Sequence, residues 1–311
     1  MEHINGQNNE LTLIFPHGRV NCISAPNERF AKVVNRANIT IAGNNNQVSM
    51  CFESEDKTEE LLLSDGFLLI VKGDNNIVNV GTIILRYSSI LGMTGLKLII
   101  GQLPGLGAGV SRVANNCRVD IGDRVVINGV TLYLQENDSR VSIGDDSQLS
   151  WGVDIWCTDA HTITDLEGAP INFAKYIEIG KHVWIGKDAK IGKNVKISDN
   201  SIVGWGSVVT KEFNEPNVIL AGIPAKIVRR GINWDRRCID KYLKGKEGSF
   251  MQSSIPNPDM TREDIIRFHG VIRKCIVQDF TDTEKEQIEL RKREMQRVAN
   301  NNGGKNPILG Y

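Results

Sequence analysis

Between Ile177 and Thr210 the chain reads IEIGKHVWIGKDAKIGKNVKISDNSIVGWGSVVT, and a large aliphatic residue recurs at every sixth position: Ile179, Ile185, Ile191, Ile197, Val203 and Val209. Two residues before each stands a smaller or branched one, namely Ile177, Val183, Ala189, Val195, Ser201 and Ser207. A period of six matches neither a helix nor an alternating strand. It is the period of a parallel β-helix, in which each hexad supplies one short strand and one corner, and three hexads close a coil that buries its aliphatics against its neighbours. Gly180, Gly186, Gly192 and Gly204 follow four of the aliphatics and are expected to provide corners of positive φ.

The same phase is visible upstream in Ile121, Ile127 and Tyr133, then in Ile143, Leu149 and Ile155, and NNCRVDIGDR (115–124) returns as NDSRVSIGDD (137–146). Earlier still, GNNNQVSM (43–50) and GDNNIVNVG (73–81) pair an Asn-rich turn with alternating aliphatics. Asn tolerates left-handed backbone and caps exposed amides, so these clusters read as turns or side-chain ladders between stacked coils. The β-helix is therefore expected over 35–231, after an N-terminal segment 1–34. Beyond Pro224 the hexads stop, and TREDIIRF and TEKEQIEL each open on a Thr with an acid three residues on, a capping pattern that predicts helices in a C-terminal extension 232–311. Ile155 and Ile179 lie too far apart for the intervening residues all to stay in the wall, so a loop is extruded there, carrying Asp159 and His161.

Charge excludes several functions. Thirty-seven Lys and Arg balance thirty-seven Asp and Glu, so no global field recruits nucleic acid or an anionic membrane. The longest apolar runs fall far short of a membrane span. MEHINGQNNELTLIF lacks the layout of a secretory signal, which predicts a cytoplasmic protein. Six cysteines without a CxxC pair suit reduced, buried thiols better than disulfides or a zinc site.

The run from HVWIG through GWGSVVTK to AGIPAKIVRR resembles the hexapeptide-repeat acyltransferases, which fold as a left-handed β-helix. GNNNQV, the Thr158–Asp159–His161 loop, INFAKYIEI and GIPAKIVRRGINW bring it nearest to the bacterial polysialic acid and capsule O-acetyltransferases. The resemblance spans about residues 40–235. It implies an all-β, left-handed parallel β-helix, a homotrimer with sites between subunits, acetyl-CoA as donor, and a carbohydrate acceptor.

Acetyl transfer from a thioester to a hydroxyl needs a base for the hydroxyl proton. His161 is the well-placed candidate; His3, His17 and His269 lie outside the repeats, and His182 is expected to point outward from the wall. Asp159 could orient the imidazole or contact the sugar, although Asp is also a common turn residue, and Glu178 has similar standing. The resemblance further implies that Trp184 of VWIG lies by the thioester end of the coenzyme and acts in catalysis, where otherwise it would merely cover a coil. It places Gly186, Lys187, Trp205 and Gly206 along the pantetheine arm, Thr210, Lys211, Lys226 and Arg229 at the phosphates, and Pro224 near the adenine. Trp205 departs from the small residue usual there. Cys157 could in principle serve as a nucleophile, but the fold implies direct attack. Only His161 and His182 fall in the coils, too few for a three-His zinc enzyme, so no metal is expected. The expected activity is O-acetylation of a bacterial surface (capsular) polysaccharide, sialic-acid-containing polymers among the candidates; acetylation of a small sugar, nucleotide amino sugar or antibiotic, and a non-catalytic carbohydrate-binding β-helix, are the alternatives.

Overall fold

The structure, a computed structural model, describes residues 4–15, 18–21, 38–52, 67–85, 87–88, 93–101, 113–239 and 242. The chain divides into two compact units, Met1–Ser254 and Ile255–Tyr311, and the described residues all belong to the first. The helices expected within 261–300 lie outside the described residues.

Short parallel strands wind into a left-handed β-helix whose coils stack into three ladders. Face 1 runs through Ile4–Asn5, Ile39–Ala42, Phe67–Lys72, Met93–Ile100, Gly129–Leu134, Val153–Cys157, Lys190–Ile191 and Val208–Val209. Face 2 runs through Glu10–Phe15, Gln47–Phe52, the first half of Ile77–Leu85, Arg118–Ile121, Arg140–Ile143, Tyr176–Ile179 and Val195–Ile197. Face 3 takes the second half of Ile77–Leu85, then Val125–Ile127, Gln148–Leu149, Trp184–Ile185, Ile202–Val203 and Val218–Gly222. Ala225–Arg230 turns back antiparallel on the last of these. The parallel ladder begins ahead of residue 35, since Glu10–Phe15 already pairs with Gln47–Phe52.

All six hexad aliphatics from Ile179 to Val209 are 3% exposed or less. Register stacks them in columns: Ile143, Ile179 and Ile197 on face 2, Leu149, Ile185 and Val203 on face 3, Ile155, Ile191 and Val209 on face 1. Such columns bury apolar area that no single coil could hide, which is the principal stabilising term. Upstream the phase slips once. Leu132, not Tyr133, stacks on Ile155, while Tyr133 meets Trp156 edge-on at 5.1 Å, outside the aliphatic column. One residue of slip moves a strand side chain to the other face.

The hexad glycines serve a different purpose from the one expected. None of Gly180, Gly186, Gly192 and Gly204 has positive φ; a Cβ on Gly180 would sit 2.3 Å from Asp199 Oδ1, and one on Gly186 would sit 2.7 Å from the Val203 carbonyl. Close approach of the next coil excludes a side chain at these two positions, whereas a Cβ on Gly204 or Gly192 would sit 3.2 Å or 3.4 Å from its nearest neighbour. The left-handed residue comes two positions later: His182, Asp188, Asn194 and Gly206.

The Asn clusters form ladders. Asn8, Asn45, Asn75 and Asn116 each adopt φ near +57° and pass a side-chain hydrogen bond from coil to coil, ending on Asp138. Beside them Asn9, Asn46 and Asn76 are buried, and each Asn Oδ1 accepts from the backbone of the following coil. Among the cysteines described, Cys117 and Cys157 are buried as expected, whereas Cys51 is half-buried and Cys238 exposed.

Candidate active site

The extruded loop occupies 158–175, at the corner where face 1 passes into face 2. It is ordered by its own hydrogen bonds. Thr164 and Pro170 form an antiparallel bridge, Ile171 N–H donates to the Ile163 carbonyl at 2.9 Å, and Asp165 N–H to the Ala169 carbonyl at 2.9 Å. Its foot is tied to the corner of the following coil, where Asn194 Nδ2 donates to the Phe173 carbonyl and Asn194 Oδ1 accepts from Lys175 N–H, both at 2.9 Å.

His161 stands near the start of this loop with its side chain exposed. It follows Ala160, which adopts the left-handed region at φ +60°. Thr158 holds that conformation: its hydroxyl accepts from Ala160 N–H at 2.8 Å and donates to Glu136 Oε1 at 2.6 Å. Asp159 does not orient the imidazole by any hydrogen bond observed. Its carboxylate instead receives Asn172 Nδ2 at 2.8 Å and the Lys193 ammonium. Burial raises the Asp159 carboxyl, but the hydrogen bonds from Lys193 and Asn172 and the charge of Lys193 outweigh it, leaving the group below the ordinary carboxylate range. Glu178 faces elsewhere, toward Lys196 at 3.5 Å, in a groove of about 430 Å³ on face 2 that holds neither His161 nor Trp184.

Trp184 lies on face 3, and its indole N–H donates to Ser150 Oγ at 3.3 Å. His182, expected outward, is 5% exposed. The chain returning at 232–237 covers it: Trp234 stacks on the imidazole at 4.4 Å, donates from Nε1 to the His182 carbonyl at 2.7 Å, and leans on Trp184 at 5.9 Å. Arg236 fastens this strap through the carbonyls of Arg124, Asp146 and Ser147. Burial pushes the His182 imidazole below its ordinary value, the Trp234 carbonyl opposing. No sequence rule links His182 to a residue 52 positions away.

The remaining candidates fall in three groups. Gly186, Lys187, Trp205 and Gly206 meet at the corner between faces 3 and 1, where the Lys187 ammonium lies 5.4 Å from the Trp205 ring and 6.0 Å from that of Trp151, and Gly206 N–H donates to the Lys187 carbonyl. Trp205 is 72% exposed. Thr210 and Lys211 follow the last strand of face 1, Lys211 lying 5.4 Å over Phe213. Pro224, Lys226 and Arg229 are exposed on the terminal hairpin, Pro224 after a cis peptide bond. One chain does not join the first and third groups to His161, because the corner between faces 1 and 2 lies opposite face 3; Thr210 and Lys211 share that corner with the loop, two coils further on. Cys157 is unsuited to nucleophilic attack: its thiol is fully buried and pushed up to about 12 by burial, with Glu136 adding to the rise. Among the described residues, no cluster of three His, Cys, Asp or Glu side chains could hold a metal ion, and no helix is long and apolar enough to cross a membrane.

Residues 176–211 match the family described as bacterial transferase hexapeptide (six repeats). Over these residues the chain resembles the hexapeptide-repeat transferases. It is 40% identical over 128 residues to an uncharacterized 24.8 kDa protein in the cps region of Klebsiella pneumoniae, a match covering 39% of this chain and 56% of that relative's length. Among solved structures it is similar to the polySia-specific acetyltransferase NeuO (23% identity, TM-score 0.38, 75% of this chain and 87% of that one). It is also similar to the polysialic acid O-acetyltransferase OatWY (24% identity, TM-score 0.39, 64% and 77%).

Proposed function

We propose that this chain is an acetyl-CoA-dependent O-acetyltransferase acting on a hydroxyl of a bacterial surface polysaccharide, with His161 as general base. The observation that carries the reading is an exposed imidazole at the foot of a hydrogen-bonded loop, extruded from hexapeptide coils of the bacterial transferase type. The imidazole takes the proton of the acceptor hydroxyl as that oxygen attacks the thioester carbonyl. The C–S bond then breaks, and the thiolate of CoA leaves with the proton from the imidazolium. The relative in a cps region supports a capsular acceptor.

The prism geometry supports a homotrimer. His161 and Trp184 sit on opposite sides of one chain, so a site that uses both needs the loop of one subunit against face 3 of the next. Lys211 and Lys226 are exposed cations suited to the phosphates of CoA; contacts made equally in ground and transition states raise KM for acetyl-CoA more than they lower kcat when removed. The test is release of free CoA from acetyl-CoA in the presence of capsular polysaccharide, a free monosaccharide or a nucleotide-linked amino sugar. Polymer-dependent release is expected. Release with small acceptors alone would make the chain a small-molecule acetyltransferase, and no release with any acceptor would return it to a binding scaffold.

A further inference from the structure

The loop that carries His161 is anchored by a side chain of the wall beneath it. Lys193 follows the buried Ile191 at the corner of the next coil, and its side chain is only 14% exposed. Its ammonium contacts the Asp159 carboxylate and the Asn172 carbonyl. Asn172 in turn brackets the histidine: Nδ2 donates to the His161 carbonyl at 2.8 Å and to Asp159 Oδ2 at 2.8 Å, while Oδ1 accepts from Ile163 N–H at 2.8 Å. With Thr158 holding Ala160, the main chain is fixed immediately before His161, at its own carbonyl and two residues after it. The His161 imidazole itself is left to solvent.

We propose that Lys193 and Asn172 are positioning residues for the base: the Lys193 ammonium locks the Asp159–Asn172 pair, and Asn172 sets the main chain from which the His161 imidazole projects. This rests on the reading of His161 as the base. A mostly buried ammonium persists only where it is paired, so its partners are held as firmly as the wall that carries it. Misplacement of a catalytic group by about 1 Å can cost on the order of 10²-fold in rate. The clamp gives the loop a fixed foot without covering the imidazole.

The experiment compares Lys193→Met, Lys193→Arg, Asn172→Ala and His161→Ala in the full chain, with acetyl-CoA varied at saturating polysaccharide and the thermal midpoint recorded for each. Lys193→Met and Asn172→Ala should each lower kcat by roughly 10- to 100-fold with KM for acetyl-CoA within about twofold, because neither side chain is among those assigned to the coenzyme. Lys193→Arg should recover most of kcat, and the Lys193→Met/Asn172→Ala double variant should be little worse than either single one. Normal kcat in both single variants beside an inactive His161→Ala overturns the clamp and leaves the base in place. Loss of kcat that tracks a lowered thermal midpoint, and that arginine does not restore, overturns it as well by making the residues merely structural. Retained turnover in His161→Ala overturns the reading beneath it.

Discussion

The corner between faces 1 and 2 is built differently in three successive coils. In the first, Gln135 to Ser139 turn tightly, with Asp138 left-handed at φ +63° and Ser139 buried. In the third, Gly192 to Asn194 suffice, with Asn194 left-handed at φ +55°. Between them the chain leaves the wall for 158–175 and exposes His161 with Ile163, Leu166, Ile171 and Phe173. At the tight corners the inward side chains make only wall, since each stacks on its counterpart in the next coil, and only an outward one such as Lys193 reaches the loop. An acid–base group must reach substrate, so the interrupted corner is where this fold can place one. The interruption does not make the loop free, because its foot remains bonded to the coil that follows.

The comparison separates stability from chemistry, and substitutions at the inward positions of the wall should act on the first alone. The largest effect on stability is expected for Ile191→Ala, which empties a position 1% exposed and stacked between Ile155 and Val209. A loss of about 2–5 kcal/mol is expected from the missing contacts and the cavity, read as a fall in the urea midpoint. A loss below about 1 kcal/mol would mean that the coils do not support one another. A smaller effect is expected for Asn46→Ala in the ladder region. Asn46 Nδ2 donates to the Gly73 carbonyl at 2.8 Å and Oδ1 accepts from Asn76 N–H at 3.0 Å, so truncation strands buried polar groups at about 1–3 kcal/mol. The KM for acetyl-CoA should not change; a shift in KM would tie these distant coils to the coenzyme site.

The smallest effect is a pH dependence at the strap. His182 is held below its ordinary value of 6.5, so the folded chain favours the neutral imidazole more than the unfolded chain does. Below pH 6.5 the unfolded state binds the proton first; stability present above 6.5 is therefore lost as pH falls through the depressed folded value. The Trp234 carbonyl and Asp146 favour the protonated form and limit the size of the change, while Arg236 adds to the depression. His182→Asn keeps a residue suited to left-handed backbone, as Asn200 and Asn217 are at the equivalent corners, and should flatten melting curves recorded between pH 5 and 8. An unchanged slope would assign the pH dependence to another group.

What could be read in the sequence follows the range of the interactions. The hexads from Ile179 to Val209 were legible because a repeated local pattern is itself the contact rule: residues 18 apart stack. The Asn ladders were legible because left-handed corners restrict residue choice. Tyr133 was misplaced because the step from Ile127 to Leu132 is five residues where the hexad expects six. Gly180 and Gly186 were correctly found but for the wrong cause, since a close approach of the next coil and a positive φ demand the same residue. His182 with Trp234, and Lys193 with Asp159 and Asn172, could not be paired beforehand, because those contacts depend on how a strap and a loop return to the prism. For Lys193 the only local signal was a lysine at a corner beside the loop's foot.

The most direct test of the division between wall and loop is transfer of labelled acetyl from acetyl-CoA to capsular polysaccharide by the wild-type chain and by His161→Ala, with a thermal melt on the same samples. The wild type should label the polymer with one CoA released per acetyl, and His161→Ala should be slower by roughly 10²- to 10⁴-fold at an unchanged melting temperature. Label incorporated by His161→Ala at more than about half the wild-type rate would contradict the account, because the base would then lie outside the loop.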